Sequence, residues 1–181
     1  RSEEEARKLE RENKKLVDDA RKLSEESRRR NDKLVEEARR IAEELKRELD
    51  RLLEEVDRRG LPEERLRDIR RLIEEIKRRV EELLRRSKKM HEDSKKRDDD
   101  LLRRSEELHE EIRKAIEKMR KDGEDTKTVV DRVKKLLDDL REVNREILRE
   151  SDKVLRDLKR LNDEIKREVE ELLERLEREV R

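Results

Sequence analysis

The string LLRRS occurs twice in this chain, at Leu83–Ser87 and again at Leu101–Ser105. The two histidine-containing segments Met90–Ser94 and Leu108–Ile112 follow at the same offset of 18 residues. An α-helix has about 3.6 residues per turn, so 18 residues complete five turns and every copy presents the same face. This stretch therefore predicts one long helix that is built from repeats.

The same repeat recurs on both sides of this stretch. Lys15–Ala20, Lys33–Ala38 and Arg51–Val56 are near-copies of one another, and Asp139–Asn144 matches Asp157–Asn162. Apolar residues that return at a helical period indicate helices with one buried face. The period extends through most of the chain, which is therefore predicted to be almost entirely helical.

Two glycines, Gly60 and Gly123, divide the repeats into three predicted helices at about residues 2–58, 62–121 and 125–181. Glycine adopts the left-handed conformation that commonly ends a helix. The two connections are short, and short connections force consecutive helices to lie antiparallel.

The predicted helix starts also carry suitable residues. Ser2 and Glu5 form a capping-box pattern, and Asp125 or Thr126 can serve as the N-cap of the third helix. Pro62 suits the first turn of the second helix.

Doubled apolar positions, such as Leu136–Leu137 and Leu172–Leu173, widen the apolar stripe so that each helix can contact two others. We therefore expect an all-α fold, a single antiparallel up-down-up three-helix bundle that spans residues 1–181. A repeat of 18 residues in five turns keeps the natural helical period, which predicts nearly straight helices with little supercoiling.

Composition excludes several classes of function. The chain of 181 residues is 61% charged and 29% hydrophobic, has a net charge of +1, and contains no cysteine or aromatic residue. A nearly neutral chain has no broad field to attract nucleic acid or a membrane surface. We expect a soluble protein without a targeting signal, a membrane span, a small-molecule substrate or a cofactor.

Polar residues occupy thirteen positions that the repeat assigns to the inward, apolar face. If the turns centre near Gly60 and Gly123, the residue numbers of facing positions add to about 120 between the first two helices and about 247 between the last two. The thirteen residues then fall into three layers, each with members on all three helices. They are the His109 layer (Asn13, Ser105, His109, Asn144), the Asp98 layer (Ser24, Ser27, Ser94, Asp98, Ser151) and the His91 layer (Asn31, Ser87, His91, Asn162).

The free-energy cost of burying unpaired polar groups limits how these residues can be arranged. Each buried polar group left unpaired costs about 1–3 kcal/mol, and thirteen of them would exceed the typical net stability of roughly 5–15 kcal/mol. We therefore expect the side chains to bond one another across helices or to be hydrated. The Asp98 layer has few apolar neighbours in sequence, and we expect it to be the most hydrated or most loosely packed of the three layers.

With these features the whole chain resembles de novo designed helical bundles, which are built from straight parametric helices with buried hydrogen-bond networks. The resemblance rests on the 18-residue repeat, the level Asn, Ser and His layers, the Gly60 and Gly123 loops, and the Glu, Lys and Arg surface. It implies packing specified by polar networks and no natural substrate or cofactor. Asp98 departs from the usual residues of such networks.

Alternative roles for the polar residues have weaker support. Ser87, His91 and Asp98 could suggest a catalytic triad, but Asp98 lies about 10 Å beyond His91 along a helix and no oxyanion hole is evident. His91 and His109 are too far apart on one helix to share a metal ion. The basic run Arg28–Arg30 is followed by acidic residues and has no aromatic side chain for base stacking. We expect no catalytic, metal or cofactor site.

Three functional hypotheses remain. The first is a monomeric structural scaffold without enzymatic activity. The second is a helical interaction module that self-associates or accepts a partner helix. The third, which has the least support from the sequence, is a hydrolase. A pH response is compatible with the first two, because charging buried His91 or His109 would add a donor where the network needs an acceptor. This hypothesis predicts lower stability below about pH 6.

Small-angle X-ray scattering tests the predicted architecture. Helices of about 55 residues should give a thin particle roughly 80 Å long, at about 1.5 Å per residue. A markedly longer particle, which an opened or domain-swapped form would produce, would contradict the three-helix arrangement.

Overall fold

The computed structural model describes residues 2–122 and 126–181. These residues form three α-helices, α1 (Ser2–Arg58), α2 (Glu63–Asp122) and α3 (Thr126–Val180), and no strand. The all-α three-helix fold is confirmed, and each helix end lies within one residue of its predicted position. The predicted loop at Gly123 and the capping roles of Ser2, Asp125 and Thr126 fall on residues or side chains outside the described part.

Charge placement supports the helix ends. α1 begins with Glu3, Glu4 and Glu5, and α2 begins with Glu63 and Glu64. Negative side chains near a helix N-terminus interact favourably with the unpaired backbone N–H groups and with the helix dipole, by about 0.3–1 kcal/mol each. The last turns carry basic residues on all three helices, which complements the opposite end of the dipole.

The turn between α1 and α2 depends on Gly60. Its φ is +66°, a left-handed conformation that residues with a Cβ rarely adopt. The Arg59 N–H donates to the Val56 carbonyl over 3.2 Å and ends α1, and the Leu66 N–H donates to the Pro62 carbonyl over 3.0 Å and begins α2. Pro62 thus lies just before α2, where its missing N–H costs nothing.

The contacts divide the chain into two compact units. Unit one comprises Arg1–Arg29 and Asp93–Lys153, and unit two comprises Arg30–Glu92 and Val154–Arg181. Each unit takes segments from all three helices and has an apolar interior of its own, centred on Leu108, Ile112 and Leu140 in unit one and on Leu49, Ile73 and Ile76 in unit two. Each is therefore a small three-helix bundle.

Ion pairs report the alignment of α2 with α3 inside each unit. Arg97 pairs with Glu150 in unit one, and Arg79 pairs with Glu168 over 2.9 Å in unit two. Both pairs of residue numbers add to 247, which is the value that the sequence predicts. Partly exposed pairs of this kind contribute little energy, about 0–1 kcal/mol, so we use them as markers of alignment.

Substitution of Gly60 by alanine should destabilise the protein by about 1 kcal/mol through backbone strain. A Cβ at this position would meet no atom within 4 Å, so steric overlap adds nothing. Gly60→Asn is the matched control. Asparagine tolerates the left-handed region better than alanine does, so this variant should lose less stability. Urea unfolding measures both variants, and equal stability of Gly60→Ala and the parent chain would contradict this explanation of the turn.

Candidate functional site: the buried polar layers

The predicted polar residues are mostly buried. Eleven of the thirteen are between 0% and 5% exposed: Asn13, Ser24, Ser27, Asn31, Ser87, His91, Ser94, Asp98, Ser105, Ser151 and Asn162. The other two, His109 and Asn144, are only half-buried. The sequence argument placed these two on the inward face, and the structure leaves part of each side chain accessible although His109 Nδ1 and Asn144 Oδ1 are buried.

Neighbouring apolar residues explain the difference at the histidines. In unit one Leu108 is fully buried and His109 is half-buried, whereas in unit two Met90 is half-buried and His91 is buried. The apolar stripe of each helix is wide enough for two adjacent positions, and one residue of each pair is more deeply buried than the other. In the His109 layer the more deeply buried residue is Leu108.

The His109 layer joins all three helices through two side-chain amides. Asn13 Nδ2 donates to the backbone carbonyl of His109 over 3.2 Å, which links α1 to α2. Asn144 Nδ2 donates to the carbonyl of Leu16 over 3.1 Å, which links α3 to α1. A carbonyl oxygen has two lone pairs, so it can accept an amide hydrogen in addition to its helical bond.

The His91 layer repeats one of these bonds. Asn162 Nδ2 donates to the carbonyl of Leu34 over 3.0 Å. Asn162 and Leu34 each lie 18 residues after Asn144 and Leu16, so the same bond occurs one repeat later, in unit two. The amide-to-carbonyl bond between α3 and α1 is thus a property of the repeat.

The second contact of the His91 layer is a histidine–carboxylate pair. His91 Nε2 lies within hydrogen-bond distance of Asp32 Oδ1. The imidazole is 6% exposed and the Asp32 side chain is 62% exposed, so the pair links the interior to the surface.

The sequence argument missed Asp32 because it considered only inward positions. Its number and that of His91 add to 123, close to the predicted value of about 120, so the alignment rule applied to flanking residues could have found the pair. A protonated His91 would keep this bond and gain an ion pair, whereas the pH hypothesis assumed an uncompensated charge. Lower stability below about pH 6 remains a prediction.

The sequence argument expected these side chains to bond one another across helices or to be hydrated. The Ser24 hydroxyl does bond another member of its layer, Asp98, whereas the three asparagine bonds above go to backbone carbonyls. Several buried polar atoms have no partner among the described residues. They are Asn13 Oδ1, Ser27 Oγ, Asn31 Oδ1, Ser87 Oγ, His91 Nδ1, Asp98 Oδ1, Ser105 Oγ, His109 Nδ1, Asn144 Oδ1 and Asn162 Oδ1.

The Asp98 layer, in unit one, contains a buried carboxyl group. Asp98 is 1% exposed, and Ser24 Oγ donates to its Oδ2 over 3.4 Å. Burial raises the pKa of Asp98, and nearby Glu150 and Asp99 add to this, while Arg28 and the bond from Ser24 oppose it. The charged form of Asp98 is therefore disfavoured. Arg28, which pairs with Asp99, offsets this effect only in part.

The structure does not join Ser87, His91 and Asp98 by hydrogen bonds in the way that the triad suggestion would require. Ser87 is 0% exposed, so a substrate could not reach its hydroxyl. Asp98 takes its hydrogen bond from Ser24, and the carboxylate at His91 belongs to Asp32. Across residues 2–122 and 126–181 no group of three or more His, Cys, Asp or Glu side chains could hold a metal ion.

Comparison with known proteins adds no family to this description: no family model matches the chain, and neither a curated protein nor a solved structure does. Within the described helices, no stretch combines the length and the apolar character that a membrane crossing requires.

Replacement of Asp98 by asparagine should stabilise the protein at pH 7, by an amount on the order of 1 kcal/mol. A carboxyl group with a raised pKa binds its proton more tightly in the folded chain, so its charge destabilises the fold at neutral pH. The penalty disappears as the pH falls through the raised pKa, and the advantage of Asp98→Asn should shrink with it.

Urea midpoints at pH 7 and pH 5 measure this effect. Asp100→Asn is the control, because the Asp100 side chain is 73% exposed and its loss should change little. An asparagine variant at position 98 that is less stable than the parent at pH 7 would contradict the assigned environment.

Proposed function

We propose that this chain is a structural scaffold without enzymatic activity, of the kind obtained by de novo design. In this proposal the buried Asn, Ser and His residues specify how the helices align. The observation that carries it is the pair of equivalent bonds from Asn144 to the Leu16 carbonyl and from Asn162 to the Leu34 carbonyl.

Apolar layers alone would specify the alignment poorly. The core residues are Leu, Ile, Val and Ala in an 18-residue repeat, so a helix displaced along its neighbour would meet similar side chains again. A displacement by one turn would move each asparagine away from its carbonyl, at about 1–3 kcal/mol for each unpaired amide. Polar residues at defined heights thus select one alignment among several that are similar in apolar burial.

The burial of the candidate nucleophiles supports the absence of catalysis. Ser24, Ser27, Ser87, Ser94, Ser105 and Ser151 are all at most 3% exposed. The groove lined by Leu23 and Leu148, with a volume of about 360 Å³, otherwise presents charged residues and Asn144.

The interaction-module hypothesis has less support. Leu148, at 46% exposed, is the exposed large hydrophobic residue in the described part of the chain. A stable protein interface buries roughly 800 Å² on each partner and needs a packed apolar centre. One leucine does not provide this, so we propose a monomer.

Light scattering after size exclusion tests the monomer. We expect a mass near 22.4 kDa across a range of concentrations. A mass of twice this value or more, or one that rises with concentration, would favour the interaction module. In that case Leu148→Glu would show whether the Leu148 groove forms the contact.

The double variant Asn144→Leu/Asn162→Leu tests whether the amides specify the alignment. Leucine removes the two amides and leaves each carbonyl with its helical bond, so we expect an equal or higher urea midpoint. We also expect loss of the single alignment, visible as more than one set of backbone amide signals in NMR spectra or as mixed oligomers.

Arg145→Leu/Asp163→Leu is the matched control, because it adds two leucines at adjacent exposed positions of the same helix. It should keep one set of signals. A single unchanged set of signals in the Asn144→Leu/Asn162→Leu variant would contradict the proposed role of the asparagines.

A further inference from the structure

Four buried atoms of the His91 layer have no hydrogen-bond partner among the residues that the structure describes. They are Asn31 Oδ1, Ser87 Oγ, His91 Nδ1 and Asn162 Oδ1. The four residues are between 0% and 5% exposed, so bulk solvent does not reach them readily. A buried polar atom without a partner loses its hydration and gains no bond in return, so each of the four would destabilise the fold if it stayed unpaired.

The existing bonds determine which of these atoms accept and which donate. Asn162 uses its amide hydrogen on the Leu34 carbonyl, so its Oδ1 remains as an acceptor. His91 Nε2 faces the Asp32 carboxylate, which only accepts when ionised, so Nε2 must carry a hydrogen. In a neutral imidazole the other nitrogen, Nδ1, is then an acceptor as well.

The unpartnered atoms of the layer are therefore mostly acceptors. Three of them can only accept, Asn31 Oδ1, Asn162 Oδ1 and His91 Nδ1, and the fourth, Ser87 Oγ, can donate as well as accept. We propose that the His91 layer binds an ordered water molecule. The water donates its two hydrogens to two of the acceptors, and the Ser87 hydroxyl donates to the third, so that each of the four unpartnered atoms gains a partner.

The size of the side chains is compatible with such a site. Ser87 occupies the position that Ile69 fills one repeat earlier, and its side chain has two fewer heavy atoms. The His91 imidazole bonds to the exposed Asp32 through Nε2, which leaves Nδ1 as the ring nitrogen without a partner among the described residues. Buried waters typically make two to four hydrogen bonds to otherwise unpaired polar groups, and the two bonds that this water donates fall within that range.

Water fits the site better than a small cation such as ammonium. A buried cation needs a carboxylate partner to offset its desolvation. Asp32, the carboxylate at this layer, already accepts the hydrogen of His91 Nε2. The proposed water site does not depend on whether the chain serves as a scaffold.

The His109 layer provides an internal comparison. Its four equivalent atoms, on Asn13, Ser105, His109 and Asn144, also have no partner among the described residues. These atoms are buried as well, but His109 and Asn144 are each half-buried as residues, so solvent lies closer to this layer than to the His91 layer. Water in the His91 layer should therefore exchange more slowly than water in the His109 layer.

NMR of the full chain at pH 8 tests the proposal with two measurements. The nitrogen shifts of His91 should report the tautomer with hydrogen on Nε2. Rotating-frame Overhauser spectra should show contacts between long-lived water and protons of Ser87 or His91. The Ser87→Ile variant, which places the residue of the earlier repeat at this position, should lose these contacts.

Ser105→Ile is the matched control in unit one, and it should leave the water contacts of the His91 layer unchanged. The two measurements on the parent chain test the proposed water site even if the Ser87→Ile variant fails to fold. A hydrogen on His91 Nδ1 in the parent chain would overturn the proposal, and so would the absence of long-lived water contacts at this layer.

Discussion

A side-chain amide buried between helices must find a partner, and in this bundle it finds one on the backbone of a neighbouring helix. Asn144 and Asn162 on α3 each donate to a leucine carbonyl on α1, and Asn13 on α1 donates to the carbonyl of His109 on α2. A backbone carbonyl has a fixed height on its helix. A bond to it therefore constrains the position of one helix along another more strictly than contacts between leucines do.

The distribution of polar uncharged residues follows from this constraint. All four asparagines, both histidines and every serine except Ser2 lie in the three layers. The surface is instead composed of Lys, Arg, Glu and Asp, whose ion pairs, such as Arg113 with Glu110, are exposed and individually weak. In the proposed scaffold, the groups that distinguish one alignment from another are thus inside the bundle, and the surface supplies helix propensity and charge.

The sequence predicted the fold and the positions of the layers, because both depend on residue spacing. The rule that facing residues of α2 and α3 add to about 247 holds for Arg97 with Glu150 and for Arg79 with Glu168. Spacing does not determine side-chain torsion angles, so it did not predict that the amides would bond to carbonyls. It also could not decide which of two adjacent inward residues, such as Leu108 and His109, would be buried more deeply.

The most direct test of this account is the hydrogen bond from each α3 asparagine to its carbonyl on α1. In a chain labelled with ¹⁵N at asparagine and ¹³C at the leucine carbonyl, NMR can detect scalar coupling across such a bond and the exchange rate of the side-chain amide. The account predicts coupling from Asn144 to Leu16 and from Asn162 to Leu34, with amide exchange at least about tenfold slower than in a free amide. Absent coupling together with exchange as fast as in an exposed amide would contradict it.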